Sequence, residues 1–241
     1  MPVVVQDPLI AGRAIRRTLP IHESSRRLRK LSPGSPRIHG VAVMADVGRR
    51  RWWPLDSALA AGRLPAMFDA SAGETGSPRA AAQQLAATFG HAVIGRVVTL
   101  LVLEGRAWDA GPENLWMHVD SEGAIDWAGV VNPTLRVLPD DPARGGDVVR
   151  LPNERALATW TAHRCHRSLA PLFECLHRLC RGEVTAAAMW QSLGSAVVVT
   201  ATQVPLPTEA SELTCMRRGQ AVLDALAGFG LPVRATRPAC T

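Results

Sequence analysis

The side chains that could bind a metal ion are concentrated in one stretch of the chain. Between positions 163 and 180 lie histidines and cysteines, the side chains that zinc and iron prefer: His163, Cys165, His166, Cys175, His177 and Cys180. On a helix His163 and His166 share a face, but Cys175 and Cys180, five residues apart, point in different directions. The sequence has no C-x-x-C knuckle. The spacing therefore favours small core side chains at Cys165 and Cys180 over a metal site.

No catalytic motif can be assigned from the remaining residue patterns. The glycines around Gly73 do not have the spacing of a phosphate-binding loop. Ser195 lies in an apolar helical pattern without the G-x-S-x-G motif. Asp140 and Asp141 adjoin prolines in a turn, which predicts a solvated loop. The catalytic residues, if there are any, stay unknown at this stage.

Charge divides the chain unevenly. The 241 residues carry a formal net charge of +6; residues 1–51 hold 11 basic against 3 acidic side chains, and the remainder 16 against 18. Such a basic N-terminus can indicate nucleic-acid binding, but no nucleic-acid-binding motif accompanies it. We therefore predict that residues 1–40 form a basic, poorly ordered lead-in, with a weak helix near Glu23 to Leu31 and no nucleic-acid partner.

The cysteines and apolar runs bear on cellular location. Five cysteines are an odd number, and the start MPVVVQDPLI lacks the charge order of a secretory signal. This favours a reducing, cytoplasmic environment. The longest apolar run, Val97 to Leu103, is too short to span a bilayer, so the sequence predicts no membrane span.

Helical patterns precede and follow the middle of the chain. Residues 152–202 read as two apolar helices broken at Arg181-Gly182, with a kink predicted at Pro171. Ser77-Pro78 is a start signal for a long helix that ends at Gly105. His91 and Arg96 are its titratable interior residues, and His91 is predicted to be a core or boundary histidine rather than a ligand. A short helix at residues 55–62, a loop at 70–78 and a last helix at about 209–227 complete the prediction.

Strand patterns occupy the middle. The segment from Asn114 to Val131 alternates around turn residues and predicts a hairpin. Shorter strands are predicted at residues 39–44, 135–138 and 147–151. The chain is thus predicted to be α+β: a mainly helical single domain, residues 41–241, with a small antiparallel sheet in the middle of the chain.

Two adjacent tryptophans, Trp52 and Trp53, follow the arginines at positions 49–51. They could form a stacking and cation–π surface. The favoured alternative places one ring in the core and the other beneath an arginine side chain.

The order of segments resembles the FhuF-type ferric-siderophore reductases and related ferric-iron reductase-like proteins, over roughly residues 50 to 240. The resemblance begins at Trp53-Pro54-Leu55 and continues through the Ala-rich helix AAAQQLAATFGHAVIGRVVTLLVLEGRAWD and the strand ENLWMHVDSEGAID. It is strongest in LAPLFECLHRLCRGEVTAAAMWQSLGSAVVV. There a helix carrying Leu-x-Pro-Leu leads through a short turn to Met189-Trp190-Gln191-Ser192, where the family has a Leu-Trp-Gly-Asn-like start.

The resemblance implies an iron–sulfur cofactor. Members of this family end in two adjacent cysteines followed, after about ten residues, by Cys-x-x-Cys, and these four thiolates bind a 2Fe–2S cluster. The segment LPVRATRPACT, residues 231–241, resembles the lead into that motif but supplies only Cys240. Cys240 is therefore the one cofactor-binding residue that the resemblance implies. Either the chain is a degenerate member, or further ligands come from elsewhere or from a second chain.

Three functions follow from the resemblance. A ferric-siderophore reductase would take an electron from a donor and pass it to Fe(III), since Fe(II) binds hard oxygen donors more weakly and is released. Alternatively, a non-catalytic protein would bind a ferric siderophore or another anionic small molecule through arginines such as Arg164, Arg167 or those at positions 49–51. These arginines could equally be solvated surface. As a third possibility, the chain is a structural or assembly protein that shares only its fold with the reductases.

Overall fold

Helices make up most of the described residues, and the strands form two small sheets. The computed structural model describes residues 18–31, 41–45, 47–48, 50–60, 62–121, 123–203 and 211–234. The helices are α1 (Pro20–Leu31), α2 (Leu55–Ala60), α3 (Arg63–Thr75), α4 (Pro78–Gly90), a π-helical turn (His91–Gly95), α5 (Arg96–Glu104), α6 (Glu154–Leu179), α7 (Ala186–Gln203) and α8 (Glu212–Gly228). The strands are β1 (Val41–Val43), β2 (Trp52–Pro54), β3 (Arg106–Trp108), β4 (Leu115–Val119), β5 (Ile125–Val130), β6 (Leu135–Val137) and β7 (Val148–Arg150). The predicted class, a mainly helical α+β single domain, is confirmed.

The strands form two sheets, with the orders β1-β5-β4-β2 and β3-β6-β7. The predicted hairpin is present, since β4 and β5 pair antiparallel with Leu115 opposite Val130. Each sheet also contains one parallel pair, β1 with β5 and β6 with β7. The prediction was one small antiparallel sheet, whereas the structure has two sheets, and both are mixed.

The helical segment from α4 to α5 is the centre of the core. Ser77 Oγ accepts a hydrogen bond from the backbone N–H of Ala80 (3.2 Å), and Pro78 is the first helical residue. Gly105 ends the segment with φ 65°, a left-handed conformation that glycine adopts without strain. These two signals confirm the predicted bounds. The π-helical turn between them was not predicted.

The Ser77 cap has a measurable consequence. Ser77→Ala removes the acceptor for the Ala80 N–H, and we expect a loss of about 1 kcal/mol in the free energy of unfolding, measured by urea denaturation. Ser195→Ala is a suitable control, because Ser195 is exposed and its Oγ bonds only to the Gln191 carbonyl within the same helix. Equal losses in the two variants would contradict the capping role.

Helices α6 and α7 form the predicted helical hairpin. Asn153 caps α6 by accepting from the Ala156 N–H (2.9 Å), and the helix continues through Pro171 to Leu179. The turn lies at the predicted place, with positive φ at Arg181 (52°) and Gly182 (81°). His177 Nδ1 bonds to the Val184 carbonyl oxygen (2.8 Å) and closes the turn.

One prediction for the N-terminal third needs correction. Residues 70–75, predicted as loop, belong to α3, whose Leu64, Phe68 and Ser71 are buried. Packing against α4 stabilises this helix despite its weak intrinsic propensity. The helix predicted near Glu23 to Leu31 is present as α1, which begins at Pro20 and buries Ile21 and Leu28. The rest of the predicted lead-in lies outside the described residues.

Asp141 also departs from its prediction. It was expected in a solvated loop, but its side chain is buried, and both of its carboxylate oxygens accept from Arg106 (2.7 and 3.0 Å). The partner lies 35 positions upstream, so the local turn pattern could not reveal it.

The tryptophan pair follows the favoured prediction. Trp52 packs in a small core cluster with Ala42, Met44 and Trp127. Trp53 lies beneath the Arg63 guanidinium, whose central carbon is 4.9 Å from the ring centroid. Both rings are buried, so they offer no open stacking surface.

One helical stretch within the described residues, Pro78–Glu104, is long and apolar enough to cross a membrane by length and composition alone. Its most apolar window is 83% buried inside the protein, as in the core helix of a soluble fold. The absence of a membrane span therefore remains a prediction.

Candidate functional site

The histidines and cysteines of the hairpin serve different parts of the fold. Cys165 and Cys180 are fully buried in the core, as predicted, and burial raises the pKa of the Cys165 thiol. Within the described ranges, no group of three or more His, Cys, Asp or Glu side chains is arranged to hold a metal ion. His163 and His166, by contrast, lie on the face of α6 that packs against Phe229, the residue that follows α8.

That face forms one side of an open groove between α6 and α8. Its volume is about 650 Å³, and its lining residues are Asn153, Arg155, Ala156, Thr159, Trp160, His163 and Phe229. A second part, of about 550 Å³, shares Arg155, Thr159 and Phe229 with the first and adds Ala221, Asp224, Ala225 and Gly228. Both volumes lie within the range of about 300–1,000 Å³ that is typical of small-molecule sites.

Helical spacing explains why these residues meet. Positions 155, 159 and 163 are four apart on α6, and positions 221, 224, 225 and 228 follow the same three-and-four spacing on α8. Glu154 joins the two helices, since its carboxylate accepts from Arg218 Nε (2.9 Å) and Arg217 Nη2 (2.9 Å). The groove therefore lies between two helices that are tied together at one end.

Aromatic rings form the apolar wall of the groove. Phe229, 38% exposed, lies 5.9 Å from the His163 ring and 6.1 Å from the nearly parallel His166 ring, measured between centroids. Burial, together with the neighbouring His163, lowers the pKa of His166, which favours the neutral form of that ring. Trp160 is half-buried and supports the Arg136 guanidinium at 4.6 Å.

The charged residues that line the groove are Arg155 and Asp224. Arg155 is exposed, lines both parts of the groove and has no ion-pair partner among the described residues. Asp224 is bonded by Arg234, and this bond lowers the pKa of its carboxyl. A ligand in the groove would therefore meet an unpaired guanidinium and a carboxylate that already has a cationic partner, together with aromatic surface.

The arginines proposed from the sequence lie elsewhere. Arg164 is bonded by Asp109 (Nε to Oδ1, 2.6 Å) and by Glu113, and Arg167 also contacts Glu113 (3.3 Å). Arg164 thus has two carboxylate partners, whereas Arg167 is about half-exposed and shares one of them. Arg50 and Arg51 are exposed beside β2, away from the groove. Arg49 and Cys240 lie outside the described residues.

Sequence reasoning missed Arg155, Trp160 and Phe229 as a group. Arg155 and Trp160 are five residues apart on α6, a spacing that does not place two side chains on one helix face, and α6 was interpreted only as core. Phe229 is 69 positions beyond Trp160, and its approach depends on how α8 packs.

No protein-family model, curated protein or solved structure matches this chain. The resemblance to the FhuF-type reductases therefore stays a prediction from sequence.

Proposed function

We propose that this protein binds an anionic small molecule carrying aromatic rings in the groove between α6 and α8. The observation that carries the proposal is the position of Arg155: an exposed guanidinium without an ion-pair partner in the described part of the chain, beside the rings of Trp160 and Phe229. A cation next to aromatic faces complements a ligand that is both negatively charged and planar.

The resemblance in sequence suggests which ligand to test. Ferric siderophores of the catecholate class are anionic and consist largely of aromatic rings, whereas ferric tris-hydroxamates are neutral and aliphatic. The groove matches the first class in charge and in surface chemistry. We therefore propose a ferric catecholate as the ligand and expect the hydroxamate complex to bind more weakly.

Substitution of Arg155 tests the proposal. Arg155→Ala removes about 1 kcal/mol of attraction for an anion near the protein surface, so we expect about fivefold weaker binding of a ferric catecholate, measured by calorimetry at low salt. Arg178→Ala is the matched control, because Arg178 is an exposed arginine on the same helix, about 35 Å further along at 1.5 Å per residue. We expect no change in that variant.

Three results would oppose the proposal: no binding of either class of complex, equal binding of both, or equal losses in the two arginine variants. The gallium complex of the same catecholate serves as a further probe, because gallium(III) is not reduced under these conditions. Its binding would show that recognition does not depend on electron transfer.

Ferric-siderophore reduction is a second proposal, which rests on the resemblance in sequence. The four described thiols, Cys165, Cys175, Cys180 and Cys215, do not fit a 2Fe–2S cluster, because no three His, Cys, Asp or Glu side chains among the described residues are grouped to hold a metal ion. Anaerobic purification followed by iron and acid-labile sulfide analysis tests this proposal. About two of each per chain or per dimer would support it, and the absence of iron would exclude it.

A further inference from the structure

A buried arginine lies on the central helical segment, away from the groove. Arg96 is the first residue of α5 and is 4% exposed. Its Nη2 donates to the backbone carbonyl oxygen of Asp126 (2.7 Å). Its Nε and Nη1 atoms are enclosed and donate to no acceptor in the described part of the protein. Unsatisfied N–H groups of a buried cation are costly and rare in folded proteins, so each needs an explanation.

The charge of Arg96 is retained despite its burial. Burial lowers the pKa of Arg96 to about 10, and the nearby Asp126 carboxylate opposes this effect. The guanidinium is therefore cationic at neutral pH. An apolar residue at this position of an apolar helix would avoid the desolvation of a charge, which indicates that the cation has a role other than packing.

Two further polar side chains, His118 and Asp126, lie on the strands next to it. His118 on β4 and Asp126 on β5 are bonded through Nδ1 and Oδ1 (2.6 Å), and their side chains keep 11% and 15% of their surface exposed. The His118 ring is 5.2 Å from the Trp52 ring. The carboxylate and imidazole thus connect the buried cation with the protein surface.

The backbone next to Arg96 is unusual as well. The π-helical turn His91–Gly95 directly precedes it, and such turns occur frequently at functional sites. Gly95 has no room for a side chain, since a Cβ there would lie 2.7 Å from His91 Nδ1. The His91 ring, exposed on its outer side, therefore lies over the residue adjacent to Arg96.

We propose that Arg96, His118 and Asp126 form a second binding site, which takes a small monoanion with oxygen acceptors, such as a carboxylate or bicarbonate. The ligand oxygens would accept from Arg96 Nε and Nη1. Asp126 already balances the charge of the guanidinium, so a monoanion suits the site better than a dianion. This site is separate from the α6–α8 groove and does not depend on the function proposed for it.

Acetate and bicarbonate are the probes for this site, with chloride at equal ionic strength as the reference. Saturation-transfer NMR and thermal unfolding of the full chain are expected to show saturable binding of at least one probe. Arg96→Lys keeps the charge but removes the guanidinium donors, and we expect at least about tenfold weaker binding, equivalent to 1.4 kcal/mol. Arg79→Lys, an exposed position on α4, is the matched control and should bind as the wild type does.

If Arg96→Lys does not fold, His118→Gln tests the same site, because it removes the imidazole that is bonded to Asp126. We expect this variant to bind the probe anion at least about threefold more weakly than the wild type. The proposal is overturned if the wild type shows no saturable effect, or if binding is equally weak in the wild type and in the substituted proteins. A crystal grown with acetate in which Nε and Nη1 bond only to water molecules would overturn it too.

Discussion

Arg106→Met is expected to destabilise the protein by about 3–5 kcal/mol, the largest effect among the substitutions considered for the ion pairs of this chain. Arg106 and Asp141 are joined by two hydrogen bonds, and both side chains are 5% exposed. Arg106 Nη1 also donates to Ser24 Oγ (2.9 Å) and lies 3.4 Å from Glu104 Oε2. Removing the guanidinium leaves two buried carboxylates without their shared partner. Urea denaturation at pH 7 measures the loss.

The same variant has a predictable pH dependence. Burial raises the pKa of Glu104, while Ser24, Arg27 and Arg106 oppose that rise. Without Arg106 the folded-state pKa rises further, and a raised carboxyl pKa favours the folded state at low pH. The stability difference from the wild type should therefore be largest at neutral pH and shrink as pH falls toward the unfolded-state pKa of Glu, about 4.3.

Two further variants control the Arg106 experiment. Arg144→Met should cost less than about 1 kcal/mol, because Arg144 donates only to the carbonyl oxygens of Asp141 and Ala143 near the surface. The double variant Arg106→Met/Asp141→Leu should regain part of the loss, since it removes one of the two buried carboxylates that lose Arg106. An Arg106→Met protein as stable as the wild type would refute the structural role of this ion pair.

Gly194→Ala is expected to destabilise the protein by about 2–3 kcal/mol. Gly194 lies on α7 against the chain that follows α8, and a Cβ there would be 1.8 Å from the Val233 carbonyl oxygen and 2.8 Å from its carbonyl carbon. The obstacle is backbone rather than a flexible side chain, so residues 231–234 must move. Thermal unfolding and hydrogen exchange of that segment should both report the change.

Gly73→Ala is the matched control for this substitution. Gly73 lies in α3, and no atom approaches within 4 Å of the place its Cβ would occupy. Alanine is the better helix former, so we expect a gain of about 0.5–1 kcal/mol. If both alanine variants are equally stable, the close approach of Val233 to α7 is not present in solution.

Local signals explain which parts of the fold were predictable. The Ser77 cap with Pro78 and the turn at Gly182 are encoded within a few residues, and the structure has helix ends at or near both places. Gly194 permits the close approach of Val233, but nothing in the sequence identifies Val233 as its neighbour. A helix start depends on adjacent residues, whereas a packing partner depends on the whole fold.

The candidate sites were less predictable for the same reason. Arg96 was recognised as a charged residue in an apolar helix, yet its contact with Asp126 is 30 positions away and depends on the placement of β5. Arg164 carried the expected anion-binding chemistry, but Asp109 and Glu113, more than 50 positions upstream, engage it. The residue type therefore indicated anion binding by an arginine, whereas tertiary contacts determine which arginine has no carboxylate partner.

The central claim is that the groove between α6 and α8 binds an anionic aromatic ligand, and hydrogen–deuterium exchange with and without a ferric catecholate tests it most directly. We expect slower exchange in the ligand complex at residues 153–163 and 221–229, and no change at residues 41–54. Unchanged exchange throughout at saturating ligand, or protection confined to another part of the chain, would contradict the claim.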